Sequence, residues 1–324
     1  MAVISIDDEL HMPAIGLWMD ALRPRTLCFI SHAHSDHISV HARTIATKAT
    51  AVLCRARLAT RAATDYEVRE FGESFECGDA HLTLLPAGHV LGSSQIAVRT
   101  EHTVTVYTGD FKLRAGRTHE PCEVPRCDTL VMECTYGRPH YRFPQRRVVE
   151  EQLVQRCSAA LSRGITPVVY AYALGKAQEV IAALRAAGLP VMAFGAVARM
   201  CQVYESLGVS VGGYDEQGAE GSRRCVVVAP PSLRRTRELA ALAPIYEIAV
   251  TGWAVDARAR LRLGVDCALP LSDHADFDEL LAYVRRAQPK QVYCLHGFPD
   301  FVHHLRRAGV KARWFEPNRQ LALF

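Results

Sequence analysis

The sequence predicts an α/β protein in which a β-rich body is interrupted by a second, separate α/β body. Three observations carry that prediction. Short strands divided by loops fill the chain up to residue 110, strands and helices alternate between 146 and 250, and a brief helix–strand–helix pattern closes the chain. The front strands, 26–30, 44–47, 81–85, 94–99 and 103–108, are rich in β-branched and apolar residues, and most are bounded by Gly, Asp or Pro. Another, 129–132, leads into Glu133-Cys134-Thr135-Tyr136. From 146 to 161 apolar residues recur at helical spacing (Val148, Val149, Leu153, Cys157, Leu161) and stop before Gly164. Strand 167–173, helix 176–187, strand 191–194, helix 196–207, strand 225–229, helix 233–242 and strand 246–250 follow, the order expected of a small parallel sheet. Helix 277–287, strand 291–295 and helix 301–308 complete the series.

Composition agrees with a folded chain of this kind. At roughly 150 residues per domain, 324 residues make about two domains. A hydrophobic share of 49% with 22% charged and 8% aromatic residues supports a sizeable core and excludes disorder as the main state. No run reaches the roughly 18 apolar residues of a membrane span, and the acidic start MAVISIDDEL lacks the basic end and apolar stretch of a secretion signal, so a cytoplasmic protein with no membrane partner is expected. Thirty-eight Lys and Arg against 34 Asp and Glu give a formal charge of +4, which excludes a polycation but leaves room for a local basic groove. The eleven scattered cysteines contain no C-x-x-C pair and read as reduced thiols, mostly small buried filler.

The chemistry is concentrated in Ser31-His32-Ala33-His34-Ser35-Asp36-His37, directly after the apolar strand. Imidazole nitrogen and carboxylate oxygen are the donors zinc takes in catalytic sites. Residues two apart in extended chain point the same way, so His32 and His34 can reach one ion, and a turn at Ser35 can aim Asp36 and His37 at a second. Further donors should then stand at other strand ends. His89 follows one strand in Ala87-Gly88-His89, Asp110 follows another in Thr108-Gly109-Asp110, and His296 stands in Leu295-His296-Gly297. Singly, each is better explained as a hydrogen-bonded structural residue. Together, flanked by glycines that let backbone crowd a site, they read as ligands.

These motifs resemble the metallo-β-lactamase-fold hydrolases. The resemblance implies an αββα sandwich with His32, His34 and His89 on one zinc, Asp36, His37 and His296 on a second, Asp110 bridging, and Asp20 orienting a ligand histidine from behind. Manganese is an acceptable substitute. Glu133-Cys134-Thr135-Tyr136, Ser272-Asp273-His274-Ala275-Asp276 and His296 further resemble motifs A, B and C of the β-CASP nuclease branch, and Gly175-Lys176-Ala177-Gln178-Glu179 resembles its G-[RK]-A-Q-E element. The implied organisation is a metallo-β-lactamase domain of 1–139 plus 269–324, interrupted by a β-CASP nucleic-acid-binding insertion, 140–268. By the same resemblance His274 contacts the scissile phosphate or protonates the leaving group, Glu133 orients it, and Asp36 counts with them in the catalytic set. Arg142, Arg146 and Lys176 are the candidate phosphate contacts, with Tyr136, Tyr141 and Phe143 as stacking surfaces.

The segment after motif A and the compact length are most similar to bacterial DNA-ligase-associated exonucleases, which implies single-stranded DNA ends as substrate and a ligase or helicase as associate. The histidine at motif C is the form of RNA-processing members, so RNA cleavage is the alternative. A small-molecule hydrolase of the same fold is a further one, and must account for the roughly 140 residues between Glu133 and His274. A non-catalytic subunit is disfavoured because every expected ligand is present.

Overall fold

A computed structural model describes residues 5–7, 9–58, 65–216 and 224–315. The chain divides into two compact units, one from the spans 1–115, 119–139 and 274–324, the other from 116–118 and 140–273. In chain order the first unit contributes β1 (Ser5–Asp7), β2 (Glu9–Met12), β3 (Leu17–Met19), β4 (Leu27–Phe29), β5 (Arg43–Ala46), α1 (Lys48–Leu58) and β6 (Asp65–Val68). It continues with β7 (Ser74–Cys77), β8 (Ala80–Pro86), β9 (Ser94–Arg99), β10 (Val104–Tyr107) and β11 (Thr129–Cys134). The second unit supplies α2 (Arg146–Ser162), β12 (Thr166–Tyr170), α3 (Lys176–Ala186), β13 (Val191–Ala193), α4 (Ala196–Ser206) and β14 (Asp215–Glu216). After these come β15 (Val226–Ala229), α5 (Arg237–Ala240), β16 (Ile245–Val250), α6 (Ala259–Leu263) and β17 (Cys267–Leu269). The chain then returns to the first unit with α7 (Phe277–Ala287), β18 (Gln291–Gly297), α8 (Asp300–Arg307) and β19 (Ala312–Trp314).

The first unit is an αββα sandwich. One sheet runs β1-β2-β3-β4-β5-β6 and the other β19-β18-β11-β10-β9-β8-β7. Alternation along each strand gives each sheet an apolar inner face, and the two faces share a core of Leu10, Leu17, Phe29 and Ile45 against Leu82, Ile96, Tyr107 and Val131. On the outer face of the second sheet, Phe277, Leu280, Phe301 and Leu305 of α7 and α8 pack on Leu130, Met132 and Val292. Helix α1 lies beside β6, with the Arg55 guanidinium 4.7 Å over the Tyr66 ring. Helix α7 starts at a reciprocal cap, in which the Glu279 amide donates to Asp276 Oδ1 at 2.9 Å and the Asp276 amide to Glu279 Oε2 at 3.1 Å.

All strands of the second unit are parallel, in the order β14-β13-β15-β12-β16-β17. Its central strand β15 is Val226-Val227-Val228-Ala229, buried throughout, as a strand covered on both faces requires. Three residues between β10 and β11, 116–118, also belong here. Glu179 accepts hydrogen bonds from the Arg117 and Thr118 amides at 2.9 and 2.7 Å and from the Thr118 hydroxyl at 2.5 Å, while Arg117 Nη2 meets Glu150 Oε2 at 2.7 Å.

The helix expected over 233–242 is a correction: only Arg237–Ala240 is α-helical, after a 3₁₀ turn at Pro231–Leu233. Arg234 lies between them and grips Glu247 at 2.8 Å and the carbonyls of Leu263 and Gly264, which holds the chain in turns there. Nine of the eleven cysteines are buried and all are free thiols, with burial pushing Cys54 up to about 12. Among the described residues, no helix is long and apolar enough to cross a membrane.

Candidate metal centre

Strand geometry gathers the donors. β10, β11 and β18 are mutually parallel and β8 is antiparallel to β9, which is antiparallel to β10, so residues after β8, β10, β11 and β18 emerge at one end of the sandwich. The loop after β4 emerges there too, where the Ser94 amide donates to the Ser31 carbonyl at 2.8 Å. Close approach is possible because Gly109, at φ +53, stands where a Cβ would lie 2.5 Å from the Ser31 side chain.

His32, His34, His89 and Asp110 form one group whose donor atoms all lie within 4.8 Å of one another. His34 Nδ1 is 3.0 Å from both His32 Nε2 and His89 Nε2, and Asp110 Oδ2 stands 3.6 Å from the former ring and 3.8 Å from the latter. With Zn–N bonds near 2.05 Å, the edges of a zinc tetrahedron are roughly 3.3 Å. Three nitrogens and one oxygen, all within 4.8 Å of one another and with four of the six separations at 3.0–3.8 Å, therefore fit the donor set of a zinc site. Burial, aided by the neighbouring rings of His37 and His89, holds His32 well below the ordinary imidazole value, so its ring is neutral and keeps a lone pair. At Asp110 burial opposes the charge, but His37 and His274 outweigh it and leave the carboxyl well below its usual range.

Asp20 organises the group from behind. It accepts from the Ser31 amide at 2.7 Å, the Ser31 hydroxyl at 2.6 Å, the Tyr107 hydroxyl at 2.7 Å and His37 Nδ1 at 2.8 Å. That fixes the His37 ring with Nε2 toward Asp110 Oδ2, 3.4 Å away. Burial alone would lower His37, yet Asp110 and Asp20 hold it well above its ordinary value. The His296 ring stands 5.5 Å from that of His37, on backbone at φ +48. Asp36 is exposed on the turn and lies outside both groups of converging donors.

A second group joins Asp110 to Glu133 and His274. Fully buried Glu133 accepts from the Phe111 and Thr135 amides at 3.1 and 3.2 Å, and its Oε1 is 3.0 Å from His274 Nδ1. His274 is half-buried, and its ring is 4.7 Å from that of His89.

The basic residues singled out in the sequence sit in the second unit, where Arg146 and Lys176 are engaged internally. Arg146 pairs with Glu150 at 2.6 Å and with Glu179, and buried Lys176 pairs with Asp273 at 3.3 Å. Arg142 is exposed. Tyr141 is buried with its ring 5.2 Å from Trp253, Phe143 is half-buried, and buried Tyr136 stands 6.1 Å from His274 in the first unit. Tyr172 is 57% exposed with Lys176 Nζ 4.7 Å from its ring, an aromatic surface that sequence reasoning passed over. It also passed over Ser31 and Tyr107, although a hydroxyl beside each ligand motif was the available signal.

Comparison with known proteins adds four findings. Residues 260–315 match the Zn-dependent metallo-hydrolase RNA specificity domain. The chain is 38% identical over 323 residues to a probable DNA ligase of Opitutus terrae, covering 99% of this chain and 32% of that protein. It is 30% identical over 190 residues to the RNase aCSPSF2 of Saccharolobus solfataricus, covering 50% of this chain and 38% of that one. It is 40% identical over 111 residues to the transcription termination factor FttA of a Lokiarchaeum, covering 33% and 17%. The chain thus spans about a third of the length of the first of these relatives.

Proposed function

We propose that this chain, a β-CASP relative within the metallo-β-lactamase fold, is a metal-dependent nuclease that hydrolyses phosphodiester bonds of nucleic acid. The observation that carries the reading is the convergence of His32, His34, His89 and Asp110 beside the His274–Glu133 pair. The first four would hold zinc, and His37 and His296, sharing Asp110, would hold a second ion. Asp36 would join that second set on reorienting from the turn. Zinc held there supplies a Lewis acid that makes water nucleophilic near neutral pH and neutralises phosphate charge.

The chain's own residues do the rest. Asp20 keeps His37 in one tautomer by accepting its Nδ1 proton. Glu133, itself fixed by two backbone amides, holds His274 through Nδ1 and leaves Nε2 to deliver a proton to the departing oxygen. In the second unit, Arg142 is the candidate phosphate contact and Tyr172 a stacking surface for a base, while Arg146 and Lys176 act as internal braces.

The likeness of 99% of this chain to about a third of a probable DNA ligase favours DNA, with exonucleolytic repair of single-stranded ends and association with a ligase as the finer reading. The matched RNA specificity domain and the RNase relative favour RNA as the second reading. End-labelled single-stranded DNA and RNA of one sequence, incubated with the chain and Zn²⁺ or Mn²⁺, test both. Stepwise loss of DNA label with RNA spared supports the first, and preferential RNA cleavage replaces it with the second. No cleavage of either by metal-loaded chain overturns the nuclease reading.

A further inference from the structure

The metal donors occupy one end of the second sheet; at the opposite end the corner built by β18 and β19 is strongly cationic. Strands β18 and β19 are parallel, with Val292 opposite Ala312, so both begin at that far end. Helix α7 delivers the chain to the start of β18, and α8 delivers it to the start of β19, so the last turns of both helices lie there as well. These elements expose Arg285, Arg286, Arg306, Arg307, Lys311 and Arg313. Six cations exceed the formal charge of the whole chain, +4. The carboxylate of Asp128 at the same end is met by Lys290 Nζ at 2.7 Å. Gln291, Arg306, Val310, Lys311 and Arg313 line a surface groove of about 430 Å³. Five residues of β18, near 3.3 Å each, put this groove about 17 Å from His296.

Four of the six cations close helices, where they complement the negative end of the helix dipole. That accounts for Arg285, Arg286, Arg306 and Arg307 singly but not for Lys311 and Arg313, which stand outside any helix. A protein partner needs apolar anchors at the centre of its interface. Among the described residues the exposed large apolar side chains are Leu22, Val68, Val148, Tyr172 and Leu261, none of them at this end. A sugar–phosphate backbone needs no such anchor, and guanidinium forks match its oxygens in pairs.

We infer that this end of the first unit is a second nucleic-acid contact surface, gripping backbone phosphates of a strand whose reactive bond lies at the metal centre. The inference rests on the nuclease reading for the identity of the strand, but its test does not require turnover. Binding of a fluorescent 30-nucleotide single strand with phosphorothioate linkages is titrated at rising KCl, for the parent chain and for the double variant Lys311→Gln with Arg313→Gln. Each lost phosphate contact removes roughly 0.7 from the slope of log K against log salt on single strands, so the double variant should lose about 1.4 with its melting temperature and metal content unchanged. Adding Arg285→Gln and Arg286→Gln should flatten the slope further. Equal slopes in parent and variants overturn the inference, and equal slopes together with polyglutamate binding that is lost in the variants would assign the surface to an acidic protein instead. A parent chain that binds no nucleic acid overturns it together with the nuclease reading. A parent that binds with the expected slopes yet cleaves nothing leaves the surface standing and removes only the nuclease reading.

Discussion

Buried and half-buried polar side chains behave differently around the metal donors of the first unit and in the second unit. Around the metal donors, His32, His34, His89 and Asp110 aim donor atoms at one another, all within 4.8 Å. In the second, cations are matched to anions: Arg146 with Glu150 and Glu179, Lys176 with Asp273, Arg234 with Glu247. Lone pairs converging on one point invite a metal ion, because otherwise they repel. Charges already matched resist ligands, since a new partner must first displace the old one. The difference separates chemistry from bracing among residues of the same types.

The largest test of that distinction is Asp110→Ala, which should abolish metal binding and turnover together, read by metal analysis of the purified chain and by oligonucleotide cleavage. His274→Ala should keep the metal and lower kcat by about 10²–10⁴-fold, the range of a lost proton donor; a metal-free variant would make His274 a ligand. In the bracing unit, Glu179→Ala removes the acceptor of three hydrogen bonds and the partner of Arg146. Breaking a buried pair from one side costs about 3–5 kcal/mol, so urea unfolding should register that loss while the metal content of folded chain stays constant. Asp20→Asn sits between the categories and should weaken zinc affinity by about 10–100-fold, measured by chelator competition.

The smallest effect concerns acid. At Glu150 burial opposes the charge, but Arg117 and Arg146 outweigh it, and Arg234 acts likewise on Glu247, so both lie below the ordinary 4.5. A carboxylate depressed in the folded state contributes stability that is full above its unfolded value and is lost as pH falls through the folded one. Stability of the second unit should therefore decline as pH falls below 4.5, and Arg234→Gln should lower stability above that pH and make the decline below it shallower, followed by fluorescence of Trp253.

Much of this was legible in the chain. Strand 94–99 and helix 277–287 were bounded to the residue, the helix because Asp276 and Glu279 form its cap and its apolar residues keep one face. Helix α1 was not legible: its buried residues Thr50, Ala51, Leu53 and Cys54 are mostly small or polar and alternate with Arg55 and Arg57, which leaves little helical periodicity. Strands β1–β3 are three or four residues long, too short for alternation to register. The candidate ligand histidines stood out by spacing, whereas the Tyr107 bond to Asp20 joins residues 87 apart, so the hydroxyl beside Gly109-Asp110 shows in the sequence but its partner does not. Arg146 and Lys176 looked like substrate contacts because a sequence displays charge without its partner, and Glu179 and Asp273 are distant in the chain.

The three residues 116–118 bear on how the protein can be taken apart. Glu179 draws its amide and hydroxyl donors from them, although they are encoded well ahead of the segment they join. A fragment of 140–273 expressed alone would carry a buried carboxylate stripped of those donors, and a graft of that segment into a related scaffold would inherit the same defect. The transplantable module is discontinuous, and a chimaera must carry its Arg117-Thr118 counterpart along with the insertion to remain soluble and folded.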